Sequence, residues 1–295
     1  MLESEKAKTS WYNKNYKKLL LIPIILLILS LSQLGYMYFK TGQIIDRDIT
    51  LTGGTSITIF VEKEVNIEEI SDFLNGKIEE FVIRELSDFQ SGKQKAIVIE
   101  TLSSSEETKK ILEKFIGYKL TNENSSIEST GSALGESFYK QLIYAVILSF
   151  FLMSITIFFI FRSPVPSFAV ILSVFADIIM TIAIVNIIGI KISSAGIIAI
   201  LMLIGYSVDT DIMLTTRLLK RSGDINENLK QAFKTGLTMT LTSIIAVATA
   251  LIITYSISNV LAQIFSILII GLIFDIINTW ITNVIIMKWY LEAKK

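Results

Sequence analysis

With 295 residues, 27 basic against 27 acidic side chains and 52 % hydrophobic residues, the chain has a mean hydropathy of +0.59. That is too apolar for an ordinary soluble domain of this length. A formal net charge of zero leaves no basic footprint for nucleic acid, and the absence of cysteine removes disulfides and thiolate metal sites. Histidine is absent as well, so a proton handled inside a membrane must travel by carboxylates, hydroxyls or water.

Five lysines, Lys6, Lys8, Lys14, Lys17 and Lys18, precede the apolar run Leu19–Tyr38. The run is longer than a signal-peptide core and no small-residue cleavage site follows it, which predicts an uncleaved first span. From about Lys40 to Ser137 the chain turns polar. Thr55–Glu62 alternates as a strand, and Asn66–Leu86 sets Ile67, Ile70, Phe73, Leu74, Ile78, Phe81 and Val82 at helical spacing. Lys95–Thr101 reads as a second strand, Ser105–Leu120 as a helix capped by Ser104 or Ser105 ahead of Glu106 and Glu107, and Ser125–Thr130 as a third strand. A βαβαβ order of this size predicts a ferredoxin-like sandwich of roughly a hundred residues.

After Gly131 the chain returns to the membrane, with apolar runs at approximately Lys140–Phe161, Pro164–Ile188, Ser193–Leu214, Thr235–Tyr255 and Ser258–Met287. The fold class expected is an α-helical polytopic membrane protein of six transmembrane helices, with a small extracytoplasmic α/β domain between helices 1 and 2. The expected division is a cytoplasmic amino terminus at 1–18, helix 1 at 19–39, the outer domain at 40–137, helices 2–6 at 138–288 and a cytoplasmic carboxy terminus at 289–295. Orientation follows from Lys and Arg in the short segments. The two short outer loops hold only Lys191, whereas Arg162, Arg217, Lys220, Arg221, Lys230, Lys234 and Lys288 fall on the inner side with the five amino-terminal lysines.

Asp177, Asp209, Asp211 and Asp275 lie within the later spans. A charge near the bilayer centre costs a few kcal/mol or more, so such acids are functional candidates, with Asp209 and Asp211 foremost for a proton relay. Two residues apart, these two point about 200° away from each other on a regular helix. Arg217 falls within roughly 80° of the Asp209 face; it reads either as an interfacial arginine or as a direct participant. Asp177 and Asp275 stay open between cross-helix pairing and proton handling. Ser173, Asp177 and Thr181 share one face, as do Thr238, Thr242, Ala246 and Thr249, and Asp275 with Asn278 or Thr279 and Thr282. Threonine stripes also serve as plain helix-packing contacts. Burial penalises the charged form of an acid, so a relay of this type can alternate between charge states and bias the bundle between conformations.

At these residues the sequence resembles the SecF family, six-span subunits of SecDF complexes in the resistance-nodulation-division superfamily. The resemblance rests on Gly205-Tyr206-Ser207 followed by an acid-bearing segment and an arginine, on Leu51–Thr55 (LTGGT), on Gly131–Gly135 (GSALG), and on Thr240–Ser243 (TLTS). The bacterial pattern Gly-Tyr-Ser-x-Asn-Asp-Thr becomes Gly-Tyr-Ser-Val-Asp-Thr-Asp here. The family aspartate therefore falls on Thr210 in ungapped register, and Thr238 stands where the bacterial form has an arginine; the variant is similar to the archaeal branch. The resemblance implies a SecD partner, action beside the SecY translocon on an exported preprotein, coupling to the proton gradient, membrane lipid as surroundings, and no nucleic acid. It implies no enzyme, cofactor or metal. Gly53 and Gly54 are candidates for a hinge or for a simple turn where the chain enters its first strand.

Three other readings compete. A half-size lipid or small-molecule transporter would use the same helices but is disfavoured by the small outer domain. A non-coupled scaffold subunit is open. An intramembrane aspartyl protease would pair Asp209 with Asp275, but its Gly-x-Gly-Asp motif is missing, since Gly271 stands four residues before Asp275.

Overall fold

The structure, a computed structural model, describes residues 16–61, 65–78, 81–87, 93–220, 225–255 and 258–294. Helix α1 (Leu21–Thr41) ends at Gly42, whose φ of 72° is left-handed and whose N–H closes on the Tyr38 carbonyl. A short link leads to the single turn α2 (Ile49–Thr52), capped by the Asp48 carboxylate, which accepts from the Ile49 N–H at 2.6 Å.

The outer domain then runs β1 (Gly54–Phe60), α3 (Ile67–Leu74), β2 (Phe81–Ser87), β3 (Gln94–Thr101), α4 (Ser105–Ile116) and β4 (Ser125–Thr130). All pairings are antiparallel in the order β2-β3-β1-β4, with Ile57 opposite both Ile99 and Ile127. Alternation puts Ile57, Ile59, Ile97 and Ile99 on one face, where Ile70 and Leu74 of α3 and Leu112 of α4 cover them. This is the ferredoxin-like sandwich, with one correction. The helix expected over Asn66–Leu86 stops at Leu74, and its last third is a fourth strand. Gly76 at φ 76° breaks the helix. Ile78, Phe81 and Val82 mimic helical spacing, but Phe81 and Ile83 recur at period two and pack into the sandwich core. The Ser104 hydroxyl caps α4, as expected, by accepting the Glu107 N–H.

Helices α5 (Ser132–Phe161), α6 (Pro164–Ile188), α7 (Ser194–Lys220) and α8 (Ile225–Thr254) follow. The last span is α9 (Asn259–Ile277), a π-helical turn (Asn278–Asn283) and α10 (Val284–Ala293) in one continuous rod. Among the described residues six helical stretches are long and apolar enough to cross a membrane. About half of the apolar window is buried in α6 and α7, 56 % and 50 %, against 6–11 % in α1, α5 and α8, so α6 and α7 form the centre of the bundle. At the far end from the outer domain, the Tyr16 hydroxyl donates to Glu292 at 2.5 Å, and buried Lys288 reaches Asn226 at 3.3 Å.

The sandwich domain is joined to the bundle through backbone groups and one amide side chain. The Asn186 side-chain amide donates to the Ile44 carbonyl at 2.8 Å, Ile192 N to Asp46 O at 2.7 Å, and Asp48 N to Ile192 O at 3.0 Å. Gln263 of α9 bridges Ser193 and the Lys191 carbonyl in the same region. Gly53 and Gly54 have φ of 86° and 137°, a region that L side chains rarely enter. They sit in close contact: a Cβ on Gly135 would lie 2.7 Å from the Gly53 nitrogen, and one on Gly54 would lie 2.6 Å from the Thr101 carbonyl oxygen.

Two outcomes are expected. Gly135→Val forces the start of α5 away from the Leu51–Gly53 backbone; a penalty of about 1–3 kcal/mol lowers the apparent Tm in mild detergent by several degrees, whereas an unchanged Tm would show that the contact yields freely. The second concerns acids at the junction, outside the spans. Burial pushes the Asp48 carboxyl up, and burial followed by the nearby Asp48 charge pushes Glu100 up, with Arg84 opposing at 3.4 Å. A raised carboxyl contributes stability that is fully present below its unfolded value and lost as pH rises through the raised one. Glu100→Gln should therefore lose less Tm than the native protein between about pH 5 and pH 8; equal losses would contradict this.

Candidate functional site

Three carboxylates meet at the centre of the bundle, one from each of α6, α7 and α9. Asp177, Asp211 and Asp275 are all fully buried at 0 % exposure. The α6 stripe works as its spacing predicts: Ser173, Asp177 and Thr181 are each inaccessible, and the Thr181 hydroxyl donates to the Asp177 carbonyl at 2.6 Å. Both carboxylate oxygens of Asp177 accept. Oδ2 takes the Ser207 hydroxyl at 2.5 Å and Oδ1 the Asn278 amide at 2.7 Å.

The second half of the site is built on the π turn. A turn of i→i+5 bonding adds a residue per revolution and is a frequent feature of functional sites. Here Asn278, Thr279, Thr282 and Asn283 are all buried against α6 and α7. Asp211 Oδ1 accepts the Thr279 hydroxyl at 2.9 Å and the Asn283 amide at 2.8 Å, and the same hydroxyl lies 3.1 Å from Asp275 Oδ1. Thr215, one turn along α7 from Asp211, is 3.4 Å from the Asn283 amide. Asp211 Oδ2 and Asp275 Oδ2 are buried without a protein hydrogen-bond partner, as are the hydroxyls of Ser173 and Thr240.

Among the described residues no ion pair reaches any of the three acids, and no group of histidine, cysteine or acidic side chains has the geometry to hold a metal ion. The donors that do reach these carboxylates are hydroxyls and amides. Buried charge without a counter-charge is costly, and these hydroxyl and amide donors are what offset that cost here.

Asp209 and Asp211 separate as the helix geometry predicts: Asp211 faces inward and Asp209 lies exposed on the opposite face of α7. Thr210 is buried at 4 % and donates only to the Tyr206 carbonyl of its own helix, at 3.4 Å. Arg217 is not brought to the acids; its Nη1 donates to the Gln231 carbonyl of α8 at 3.1 Å. Thr238 and Thr242 are exposed and bond back to the Lys234 and Thr238 carbonyls at 2.7 and 2.9 Å. The α8 stripe thus faces outward, and Thr240, between them, is the hydroxyl that turns in. Ser207, Thr215 and Asn283 are site residues that spacing did not single out. Asn283 stands four residues beyond Thr279, so extending the Asp275–Thr279 face by one turn would have reached it.

The family described as "Protein export membrane protein SecD/SecF, C-terminal" matches residues 109–293. The chain is 42 % identical over 289 residues to the protein-export membrane protein SecF of Methanocaldococcus jannaschii, covering 96 % of this chain and 99 % of that one. It is 36 % identical to the SecF of Methanolacinia petrolearia over 94 % of each chain, and 34 % identical to that of Pyrococcus furiosus over 95 % and 92 %. The fold is similar to the crystal structure of SecDF, a translocon-associated membrane protein from Thermus thermophilus, with a TM-score of 0.74 at 20 % identity. The match covers 94 % of this chain and 38 % of that longer one. A six-span bundle carrying one ferredoxin-like domain, matched over nearly its whole length by archaeal relatives, belongs to the SecF family of protein-export membrane proteins.

Proposed function

We propose that this chain works with SecD as an accessory of the Sec export machinery, beside the SecY channel, and that protons moving through the Asp177–Asp211–Asp275 cluster drive it. The observation that carries the reading is the set of three fully buried carboxylates from three spans, held by hydroxyls and amides of α7 and the last span. A scaffold needs packing at that position, and apolar side chains supply packing at lower cost. A change of charge in the cluster alters which hydrogen bonds hold α6, α7 and the π turn together. It thereby biases the bundle between arrangements.

The outward face supports the partner. Asp209 is an exposed carboxylate within a span, and the exposed Thr238, Thr242 and Thr249 lie on the next helix. A bare carboxylate against hydrocarbon is unfavourable, and small hydroxyl stripes suit close helix contact. The related spans of SecD are the occupant that this reading assigns. The count of Lys and Arg in the short loops puts both termini in the cytoplasm and the outer domain outside, where it would meet the emerging preprotein. The protease alternative loses its pair, because Asp209 points away from Asp275.

The test is reconstituted secretion with a proton gradient imposed across the vesicles. Asp211→Asn should assemble with SecD and lose the gradient-dependent part of secretion by about tenfold or more. Asp209→Asn should weaken co-purification with SecD. Full gradient dependence in assembled Asp211→Asn protein would favour the scaffold.

A further inference from the structure

We infer that the Thr279 hydroxyl is a two-position relay that carries a proton between Asp275 and Asp211. The inference rests on the proton-coupling reading above and names the group through which those two acids communicate. Thr279 Oγ1 lies 2.9 Å from Asp211 Oδ1 and 3.1 Å from Asp275 Oδ1, with all three residues at 0 % exposure. A hydroxyl has one proton to donate. It can donate to one of these carboxylate oxygens, and toward the other it must accept, so that other oxygen carries a proton of its own.

The remaining partners say which. Asp211 Oδ1 accepts the Asn283 amide at 2.8 Å as well as Thr279, whereas Asp275 Oδ1 takes the Thr279 hydroxyl and its Oδ2 takes no formed hydrogen bond, although the Ser207 and Thr240 hydroxyls lie near that carboxyl. Two donors aimed at one oxygen suit the ionised form. In this arrangement Asp211 is the carboxylate, Thr279 donates to it, and Asp275 is the acid that donates to Thr279. Transfer is balanced: the Asp275 proton passes to Thr279 Oγ1 as the hydroxyl's own proton passes to Asp211 Oδ1. The hydroxyl is regenerated pointing the other way, and the negative charge moves from α7 to α9. The other groups around the pair are Asp177 on α6, already saturated by Ser207 and Asn278, and the hydroxyls of Ser173 and Thr240. Arg217 on α7 and Lys288 on α10 are directed to Gln231 and Asn226 instead.

The test compares Thr279→Val, which keeps the volume and loses the hydroxyl, with Thr279→Ser, which keeps the hydroxyl, in the full complex with Asp211→Asn as a control. The expected result is normal assembly with SecD, gradient-dependent secretion lowered by about tenfold or more in Thr279→Val, and recovery in Thr279→Ser with the native pH profile. If assembled Thr279→Val keeps native gradient dependence while Asp211→Asn loses it, the relay is overturned and proton coupling stands. If both keep it, the coupling reading falls as well. Should Thr279→Val fail to assemble, infrared spectra of the native and Thr279→Ser proteins decide: a protonated carboxyl band that shifts in Thr279→Ser upholds the relay, and an absent or unshifted band overturns it.

Discussion

Carboxylates buried without a basic partner are the constraint on which the centre of this bundle depends. Each must find donors within hydrocarbon surroundings, where water is scarce and an unmade hydrogen bond is expensive. The donors come from sequence positions that have no other reason to be polar: Ser207 on α7 and Asn278, Thr279 and Asn283 on the last span. The π turn follows from the same demand, because it sets four polar side chains on the inward side of a single rod while the helix continues to Ala293. Packing accommodates it with small residues. A Cβ on Gly271 would lie 2.5 Å from a Leu203 methyl group, and one on Gly236 would lie 2.5 Å from the Trp280 ring. Helix approach and polar satisfaction are therefore one requirement.

Under the coupling reading, a change in the cluster has to reach the sandwich domain. The route is short. Helices α6 and α7 both carry acids; the end of α6 is bonded to Ile44 through Asn186, and their connecting loop to Asp46 and Asp48 through Ile192. The contact of Gly135 with Gly53 adds the start of α5 to the same junction. Close backbone contacts of this type transmit displacement instead of absorbing it. Under the coupling reading, Gly53 and Gly54 belong to the joint that links sandwich and spans, and their positive φ serves a close approach.

The spans were legible in the sequence because hydrocarbon imposes length and composition on them, and the acid positions were legible because they break that composition. The Asp209 and Asp211 divergence followed from helical periodicity alone. Which of the two would face inward did not, since that depends on how α7 is rotated against α6 and α9. The α8 threonines failed for the same reason: a stripe defines a face, and packing decides where the face points. β2 was hidden because Ile78, Phe81 and Val82 satisfy helical spacing while Phe81 and Ile83 satisfy strand spacing, and pairing with β3 arbitrates. The π turn has no signature in residue type. Its consequence, Thr279 between two acids, emerges only when three helices are placed together.

Proton movement across the reconstituted complex tests the central claim most directly. With vesicles holding a trapped pH-sensitive dye and the outside acidified, the complex should admit protons. Asp211→Asn and Asp275→Asn should cut that uptake by about tenfold or more. Uptake at the native rate in both variants would contradict a proton route through the buried carboxylates.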